Sequence, residues 1–243
     1  MDDAGPCRLL DWDTEFFGRR IATITAHRLS LERVEDAMAW CKRSGIQCLY
    51  FLADADDAET VRLAEEYGFR HVDVRITLER LLDLPVAQDR SHEAVVRLAV
   101  PADVPTLRAL ARVSHHDSRF YHDPNFRTSQ CDALFETWID KSCNGYADAV
   151  FVADLSGLAV GYVSCHRADR NEGKIGLFAV SAAHRGKGAG RTLLSESLRW
   201  FGAQGLRRVT VVTQGRNARA QRLYQQGGFV THAVQLWYHR SFE

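Results

Sequence analysis

Apolar residues recur along the chain at spacings that alternate between those typical of strands and those typical of helices. Leu31, Val34, Met38 and Cys41 lie three or four residues apart, which predicts a helix over 31–44. Further helices are predicted over 56–67, 101–116, 188–203 and 217–226. Apolar runs predict strands near 7–12, 20–27, 47–53, 70–79, 149–154, 159–167, 173–180, 207–213 and 229–239. Strands alternating with helices indicate an α/β fold.

A segment of mixed charge with a proline, LLDLPVAQDRSHEAV at 81–95, separates two parts of this pattern. We therefore expect two domains, residues 1–88 and residues 95–243. The second domain is expected to open with a helix that has Asp103 as a candidate N-cap and Pro105 in its first turn.

An internal repeat relates the two parts. Residues 34–80 align without a gap with residues 194–240, since 194 − 34 and 240 − 80 both equal 160. The coinciding residues include Trp40 with Trp200, Gly45 with Gly205, and Gly68 and Phe69 with Gly228 and Phe229. We favour duplication over a chance alignment of two α/β segments. At the same offset, the positions of Arg185, Gly188, Gly190 and Tyr224 align with Thr25, Arg28, Ser30 and Ala64. The first half therefore lacks the glycine loop and the tyrosine, and we expect it to be a degenerate copy.

Composition excludes several classes of protein. The 243 residues are 46% hydrophobic and 26% charged, which is ordinary for a soluble globular protein. A formal net charge of zero argues against a nucleic-acid binder. The six cysteines contain no CxxC pair, which favours reduced thiols. With neither a signal peptide nor an apolar run long enough for a membrane span, we expect a cytoplasmic protein that does not bind membranes.

A glycine-rich segment, AAHRGKGAGRTLL at 182–194, connects an apolar strand to an apolar helix. Glycines let backbone N–H groups approach phosphate oxygens, and a helix N-terminus adds partial positive charge. The spacing is that of neither a P-loop nor a dinucleotide-binding fingerprint. The candidate anion-binding residues are Arg185, Gly186, Lys187, Gly188, Ala189, Gly190 and Arg191.

Two motifs together resemble the GNAT superfamily of N-acetyltransferases, over about residues 95–243. The glycine loop is similar to that family's Arg/Gln-x-x-Gly-x-Gly/Ala segment, and NARAQRLYQQGGF at 217–229 is similar to its N-x-x-A-x-x-x-Y-x-x-x-G-F segment. The resemblance implies a mixed central sheet with two splayed strands, flanked by helices. It also implies a truncated copy of this fold in the first half.

The resemblance further implies acetyl-CoA as co-substrate, with its pyrophosphate on the glycine loop. The residues implied to bind it elsewhere are Phe178, Ala179, Val180, Asn217 and Ala220. Tyr224 is implied to be the general acid that protonates the leaving thiolate, and its ordinary pKa of about 10 makes that transfer feasible. The alternative role of Tyr224 is packing of its helix against the sheet.

Nearly the whole chain is similar to one branch of the superfamily, the bacterial TDP-fucosamine acetyltransferases. The matching segments are LLDWDTEFFG at 9–18, DSRFYHDPNF at 117–126, ETWID at 136–140, GYVSCHRA at 161–168 and QLWYHR at 235–240. The resemblance implies acetylation of the amino group of a nucleotide-linked sugar, a dTDP-4-amino-4,6-dideoxyhexose, and a homodimer. Trp12, Phe16 and Phe17 are expected to form the small core of the first half.

The same branch implies roles in acceptor binding. Asp73 takes the place of a carboxylate that acts as base, usually a glutamate, and its shorter side chain suggests a relay through water. A solvent-exposed strand aspartate is the alternative. Arg119 is expected to grip the diphosphate, with Phe120 and Tyr121 against the sugar or base. An ion pair of Arg119 within its own loop is equally open.

Other activities stay open from the sequence. The runner-up enzyme acetylates an amino acid, peptide or antibiotic amine, and an acidic cleft without an inward Arg119 would favour it. A non-catalytic acetyl-CoA sensor is the second alternative. No metal is expected, because the spacing of the histidines and aspartates within 115–123 matches no zinc signature.

Overall fold

Ten strands lie within residues 5–83 and 94–242, the part of the chain that this computed structural model describes. They are β1 (Cys7–Leu9), β2 (Ile21–Ile24), β3 (Cys48–Asp54), β4 (Arg70–Leu81), β5 (Val95–Leu98), β6 (Ala149–Leu155), β7 (Leu158–Arg167), β8 (Glu172–Val180), β9 (Arg208–Gln214) and β10 (Val230–Ser241). The helices are α1 (Asp11–Phe17), α2 (Leu31–Arg43), α3 (Ala58–Glu66), α4 (Val104–Arg112), α5 (Thr128–Lys141), α6 (Ala189–Ala203) and α7 (Ala218–Gln226). None of these helices has the length and apolar character needed to cross a bilayer.

Helix α2 illustrates how local sequence sets an element. The Ser30 side chain accepts a hydrogen bond from the Arg33 N–H and so caps the first turn. Val34, Ala37 and Cys41 form its buried face against the sheet. Gly45 follows the helix with a φ of +62°, a conformation that glycine adopts without steric cost. The predicted helix over 31–44 is therefore confirmed.

The strands form one continuous mixed sheet in the order β1-β2-β3-β10-β4-β9-β8-β7-β6-β5. β2 runs parallel to β3, and β8 runs parallel to β9, whereas the other neighbours are antiparallel. β4 lies between β9 and β10, and β10 lies between β3 and β4. The last strand of each half therefore pairs with a strand of the other half. As a result, the mixed α/β fold contains one sheet rather than two.

The offset of 160 found in the sequence also relates the strand registers. Asp54 pairs with Gln235 on one side, and Gln214 pairs with Arg75 on the other, which is the same pair shifted by 160. At the centre of the sheet Arg75 lies opposite Gln235, its own equivalent in the repeat. The two halves are thus related by an approximate twofold axis through this pair. The expected boundary between 88 and 95 lies mainly outside the described residues.

The sheet opens between β8 and β9. These strands pair only from Glu172 to Ile175 on β8, and no pairing continues beyond Ile175 and Val211. On the other side of β8, Gly176 and Leu177 together lie opposite Ser164 of β7, which is the signature of a bulge in β8. A bulge bends its strand, so β8 diverges from β9 and leaves a cleft at its C-terminal half.

The first strand is shorter than expected. The sequence predicts a strand near 7–12, but β1 ends at Leu9 and helix α1 begins at Asp11. The Leu10 N–H donates to the Ile21 carbonyl, after which Thr14 donates its N–H to the Leu10 carbonyl and starts the helical turn. Gly18, with a φ of +64°, ends the helix. The apolar pattern of this short segment fits either element, and tertiary packing selects the helix.

The aromatic side chains of α1 do not form a separate core of the first half. Phe17 packs against Phe120 and Phe126, with ring centroids 5.5 and 4.7 Å apart. Trp12 lies 6.2 Å from Trp138 of α5. The expectation for Trp12, Phe16 and Phe17 is therefore wrong, because these rings join α1 to the second half. They pack α1 against Phe120 and against α5.

Asp103 precedes α4 as expected, yet its side chain makes no cap hydrogen bond to that helix. Its carboxylate accepts from the Val100 N–H at 2.8 Å and pairs with Arg97 at 2.7 Å. The predicted capping role is wrong, because the carboxylate points back toward the preceding 3₁₀ turn and strand β5.

Candidate active site

The glycine loop connects β8 to α6 and exposes backbone amides. Gly186 and Gly188 have φ values of +76° and +96°, a region that disfavours side chains. Gly188 is the N-cap of α6 and supplies no side-chain cap, so the first amides of this helix are open to a ligand. Arg185 donates from Nε to the Val180 carbonyl at 2.9 Å and ties the loop to β8. The loop geometry therefore fits an anion at its backbone amides.

The open edge of β8 presents backbone groups to the cleft. The Leu177 N–H donates to Ser164 Oγ and the Ser181 N–H donates to the Val160 carbonyl, so both point toward β7. Because strand amides alternate in direction, those of Phe178 and Val180 point to the cleft. Ala179 pairs with Tyr162 in β7 instead, and its side chain is buried. The structure therefore brings two of these three predicted residues to the cleft by their backbone.

Helix α7 supplies the phenol expected to act as an acid. Asn217 caps the helix by accepting from the Ala220 N–H at 3.1 Å, and both residues line the cleft with Tyr224. The Tyr224 ring is buried and lies edge-on to Phe178, with centroids 6.2 Å apart. Its hydroxyl has no hydrogen-bond partner among the described residues. Burial raises the pKa of Tyr224, so the phenol stays protonated at neutral pH.

Asp73 lies on β4 and lines the same cleft as Tyr224. Its side chain is only 3% exposed, and Oδ1 accepts no hydrogen bond within 5–83 and 94–242. Burial raises the pKa of Asp73 to about 6, although Arg216, with Nη2 at 3.7 Å from Oδ1, acts in the opposite direction. The alternative of a solvent-exposed aspartate does not describe this buried side chain.

Arg119 opens the 3₁₀ turn Arg119–His122 and points into the cleft. Its guanidinium carbon lies 3.9 Å from the ring centroid of Trp237 and 4.4 Å from that of Tyr50. No carboxylate of the described residues comes within ion-pair distance of it. Loss of hydration lowers its pKa from the ordinary value. An ion pair within its own loop is therefore not formed.

The two aromatic neighbours of Arg119 in the sequence have different places. Phe120 is buried and lines the cleft, and the Arg119 guanidinium carbon lies 4.5 Å from its ring centroid. Tyr121 turns toward α5, where its hydroxyl donates to Asp132 at 2.8 Å and its ring stacks on Phe135. The structure thus brings Phe120 to the cleft and does not bring Tyr121.

The cleft measures about 250 Å³ and includes residues that motifs did not single out. They are His115, Phe135, Trp138, Gly176, Gln214 and Trp237. His115 stacks on Phe135, and its Nε2 lies 2.8 Å from the Tyr162 hydroxyl. Burial lowers the pKa of His115 to about 4, which leaves its imidazole neutral. The quoted segments ETWID and QLWYHR gave a signal for two of these residues, Trp138 and Trp237.

The equivalent position in the first half is closed. The Asp54 N–H donates to the His27 carbonyl at 3.0 Å, and His27 Nδ1 lies 2.8 Å from the Leu52 carbonyl. These contacts join the chain after β2 to the end of β3, where β8 and β9 diverge in the second half. The Ser30 hydroxyl also accepts from one amide at the start of α2, the Arg33 N–H. Among the described residues, these contacts close the position where the second half has its open cleft.

No group of three or more histidine, cysteine, aspartate or glutamate side chains placed to hold a metal ion occurs in residues 5–83 and 94–242.

A family model described as Acetyltransferase (GNAT) family matches residues 110–229, which include the glycine loop and Tyr224. The chain belongs to the GNAT superfamily. It is accordingly an acyl-CoA-dependent N-acetyltransferase, and enzymes of this superfamily use acetyl-CoA as co-substrate. The matched residues include the two diverging strands, β8 and β9, and the open N-terminus of α6.

Similar proteins support the same assignment. The chain is 28% identical over 234 residues to a dTDP-fucosamine acetyltransferase from Escherichia coli O6:H1, with 95% of this chain and 96% of that protein covered. It is 32% identical over 139 residues to the spore coat polysaccharide biosynthesis protein SpsD from Bacillus subtilis, covering 57% of this chain and 48% of that protein. A GCN5-related N-acetyltransferase from Sphaerobacter thermophilus has a TM-score of 0.68 at 17% identity, with 97% and 76% of the two chains covered.

Proposed function

We propose that this GNAT enzyme transfers an acetyl group from acetyl-CoA to the amino group of a nucleotide-linked aminodeoxy sugar, a dTDP-4-amino-4,6-dideoxyhexose. The observation that carries the proposal is the convergence of a buried carboxyl, Asp73, a buried phenol, Tyr224, and an arginine without a carboxylate partner, Arg119, on one cleft. The likeness to a dTDP-fucosamine acetyltransferase over nearly the whole chain supports this substrate class.

The residues of the glycine loop and of β8 fit acetyl-CoA. The open amides at Gly186, Gly188 and the start of α6 would hold its pyrophosphate, because helix N-terminal N–H groups bind phosphate oxygens. The positive φ values of both glycines disfavour a side chain at either position. The exposed backbone of Phe178 and Val180 would hold its extended arm. When bound, acetyl-CoA supplies the reactive thioester.

Asp73 would accept a proton from the acceptor ammonium at Oδ1, which no protein group occupies. A carboxyl pKa of about 6 places the group near the working pH, where general-base catalysis is most effective. We further propose that the first half, residues 1–88, is a degenerate GNAT copy that contributes this base and not a second acetyl-CoA site.

Tyr224 would donate the proton of its hydroxyl to the departing sulfur. The phenol is held protonated by burial, and its hydroxyl has no partner among the described residues that would compete for the proton. Asn217 contributes by capping α7 and so fixes the helix that carries Tyr224. Proton transfer of this kind typically accelerates a reaction by about 10²–10⁴-fold.

The charge at the acceptor side favours an anionic acceptor. A cleft for a cationic antibiotic or polyamine would be lined by carboxylates without an inward arginine. Here Arg119 points inward and Asp73 is the carboxyl that lines the cleft, with a pKa of about 6. The arrangement therefore supports a nucleotide sugar over a polycationic amine.

The test is free-thiol release from acetyl-CoA across a panel of amines. The panel contains dTDP-4-amino-4,6-dideoxygalactose, its glucose epimer, a 3-amino analogue, a polyamine, an aminoglycoside and a peptide. We expect turnover with a dTDP-amino sugar and with no other class. Turnover confined to the polyamine, the antibiotic or the peptide would overturn the acceptor assignment. Binding of acetyl-CoA without turnover on any amine would favour the sensor.

A further inference from the structure

Arg119 is held by a neutral acceptor rather than by a carboxylate. Its Nη1 lies 3.3 Å from Nε2 of His239, a residue of β10 that is 3% exposed. On the opposite side of the ring, His239 Nδ1 lies 2.7 Å from Oδ2 of Asp123, whose side chain is 1% exposed. The three side chains form a line from a buried carboxylate, through an imidazole, to the guanidinium in the cleft.

The direction of the hydrogen bonds in this line follows from chemistry. Arg119 can only donate and the Asp123 carboxylate can only accept. His239 must therefore donate from Nδ1 to Asp123 and accept at Nε2 from Arg119, which is the neutral tautomer. Burial lowers the pKa of His239 to about 4, so the neutral ring is the form present at pH 7. Tyr50, stacked on the ring with centroids 4.4 Å apart, fixes its plane.

This arrangement orients Arg119 without cancelling its charge. A carboxylate in the place of His239 would form an ion pair and compete with any anionic ligand. The imidazole restricts the guanidinium by one hydrogen bond, while Trp237 and Tyr50 pack on its faces. A desolvated cation without a counter-ion is unfavourable, and a bound anion would remove that cost.

A second arginine adds to the same charge. Arg75 lies two residues after Asp73 on β4, so the two side chains are on the same face of the sheet. In the neighbouring strand β9, Gln214 lies opposite Arg75. Asp73 and Gln214 both line the cleft. Its Nε is buried with no hydrogen-bond partner, and no described carboxylate forms an ion pair with it. The 3₁₀ turn of Arg119 packs on β4, and the charge of Arg119 contributes with burial to lowering the pKa of Arg75.

We propose that Arg119 and Arg75 form a subsite for the diphosphate of the acceptor, and that Asp123 and His239 are positioning residues that hold Arg119 in it. The inference rests on the proposed function for the presence of a nucleoside diphosphate. A diphosphate carries two or more negative charges and many acceptor oxygens. Two guanidinium groups without a carboxylate partner match this charge and these acceptors.

The experiment measures binding of dTDP to the full-length enzyme by titration calorimetry, with acetyl-CoA titrated separately. UDP is titrated in parallel, since the subsite contacts the diphosphate and not the base. We expect R119M and R75M each to weaken dTDP and UDP by about 10- to 100-fold. Acetyl-CoA affinity should change by no more than about twofold, which also shows that the variants are folded. R199M, which removes an exposed arginine of α6 paired with Glu196, is the matched control.

H239F tests the positioning role, because it keeps an aromatic ring against Tyr50 and removes the acceptor. We expect dTDP affinity to fall by about 10-fold with acetyl-CoA affinity retained, and the double variant R119M/H239F to bind dTDP as weakly as R119M. Equal losses for both ligands, or additive losses in the double variant, would overturn the positioning role. D123N should give a smaller loss in the same direction, because an amide oxygen can still accept from Nδ1.

The outcomes separate this inference from the proposed function. Turnover of a dTDP-amino sugar, together with unchanged dTDP affinity in R75M and R119M, would overturn the subsite alone. Absence of dTDP and UDP binding to the wild-type enzyme, with turnover of a non-nucleotide amine, would overturn the substrate class and the subsite together.

Discussion

At the scale of single residues, the cleft concentrates groups that are costly to bury. Asp73 has an oxygen without a hydrogen bond, Arg119 has no carboxylate partner, and Tyr224 presents a phenol without a partner in the described structure. Such groups normally find partners in a protein interior. Substrates can supply the missing partners, so the presence of several such groups in one cleft is typical of a functional site.

Removal of the Tyr224 hydroxyl tests the acid directly. We expect Y224F to lower kcat by about 10²–10⁴-fold with KM for acetyl-CoA nearly unchanged, because the ring still packs on Phe178. Thiol release under saturating substrates measures it. The matched control is Y238F, which removes the hydroxyl of a buried tyrosine of β10 outside the cleft. Wild-type turnover in Y224F would remove Tyr224 as the acid.

The carboxyl of Asp73 predicts the acidic limb of the pH profile. A base acts only when ionised, so we expect kcat/KM of the wild-type enzyme to fall as the pH drops through about 6. D73N should lose activity at all pH values and should lack this limb. A D73N profile that keeps the limb would assign it to another group.

The same carboxyl should lower the stability of the protein as the pH rises from about 4 to about 6. The pKa is raised from 3.8 to about 6 on folding, so the unfolded chain ionises first and the free energy of unfolding falls as the pH rises between these values. We expect D73N to be stabilised by up to about 3 kcal/mol at pH 8 and by little near pH 4. Urea unfolding at both pH values measures it.

The D103N variant is a control, because the stabilising effect of Asp103 should depend on pH in the opposite direction to that of Asp73. Asp103 pairs with Arg97, which lowers the pKa of this carboxyl. Its stabilising contribution is therefore present at pH 8 and lost as the pH falls through the lowered pKa. D103N should be less stable than wild type at pH 8, and a D73N variant that behaved likewise would contradict the unfavourable burial of Asp73.

At the scale of elements, the strand–loop–helix unit formed by β8, the glycine loop and α6 combines two openings. The bulge at Gly176 and Leu177 diverts β8 from β9, and the glycine N-cap leaves the first amides of α6 without a side-chain partner. The corresponding unit of the first half has both openings closed, by the His27–Asp54 backbone bond and by Ser30. The difference lies in a few loop residues and not in the framework of helices and strands.

A matched pair of glycines separates the function of the loop from backbone strain. Gly186 and Gly205 have φ values of +76° and +77°, and a Cβ at either position would meet no atom within 4 Å. We expect G186A and G205A to lose similar stability, about 1–2 kcal/mol. Only G186A should weaken acetyl-CoA binding, and G188W should abolish it. Equal acetyl-CoA affinity in G186A and G205A would contradict the loop assignment, as would wild-type affinity in G188W.

At the scale of the whole molecule, exchange of the last strands makes each half depend on the other. β4 brings Asp73 from the first half to the cleft beside β9, and β10 brings Trp237 and His239 beneath Arg119. The cleft is therefore assembled from both halves, whereas the glycine loop and the open end of β8 belong to the second.

A protease site inserted within 84–93 tests this dependence. After cleavage, we expect the two fragments to co-elute in gel filtration and to keep acetyltransferase activity, because β4 remains hydrogen-bonded to β9 and β10. The uncut protein with the same insertion is the control. Separation of the fragments without denaturant would contradict the importance of the exchanged strands.

The sequence by itself determined the features that depend on neighbouring residues. Five of the seven described helices, most strands, the glycine loop and the Asn217-to-Phe229 motif follow from periodicity and from residues close in the chain. The gapless repeat also anticipated that the strand registers share one offset. Helices α1 and α5 and strand β5 were not predicted. In α1 the short apolar pattern fits a strand equally well.

Only the tertiary structure decided the environment of each reactive group. The burial of Asp73 depends on β4 lying between β9 and β10, which no local pattern indicates. The uncompensated charge of Arg119 depends on His239, which is 120 positions away in the chain, and on the bond of His239 to Asp123 across 116 positions. Charge, pKa and access are set by desolvation and by such distant neighbours, and a linear pattern of residues does not contain them.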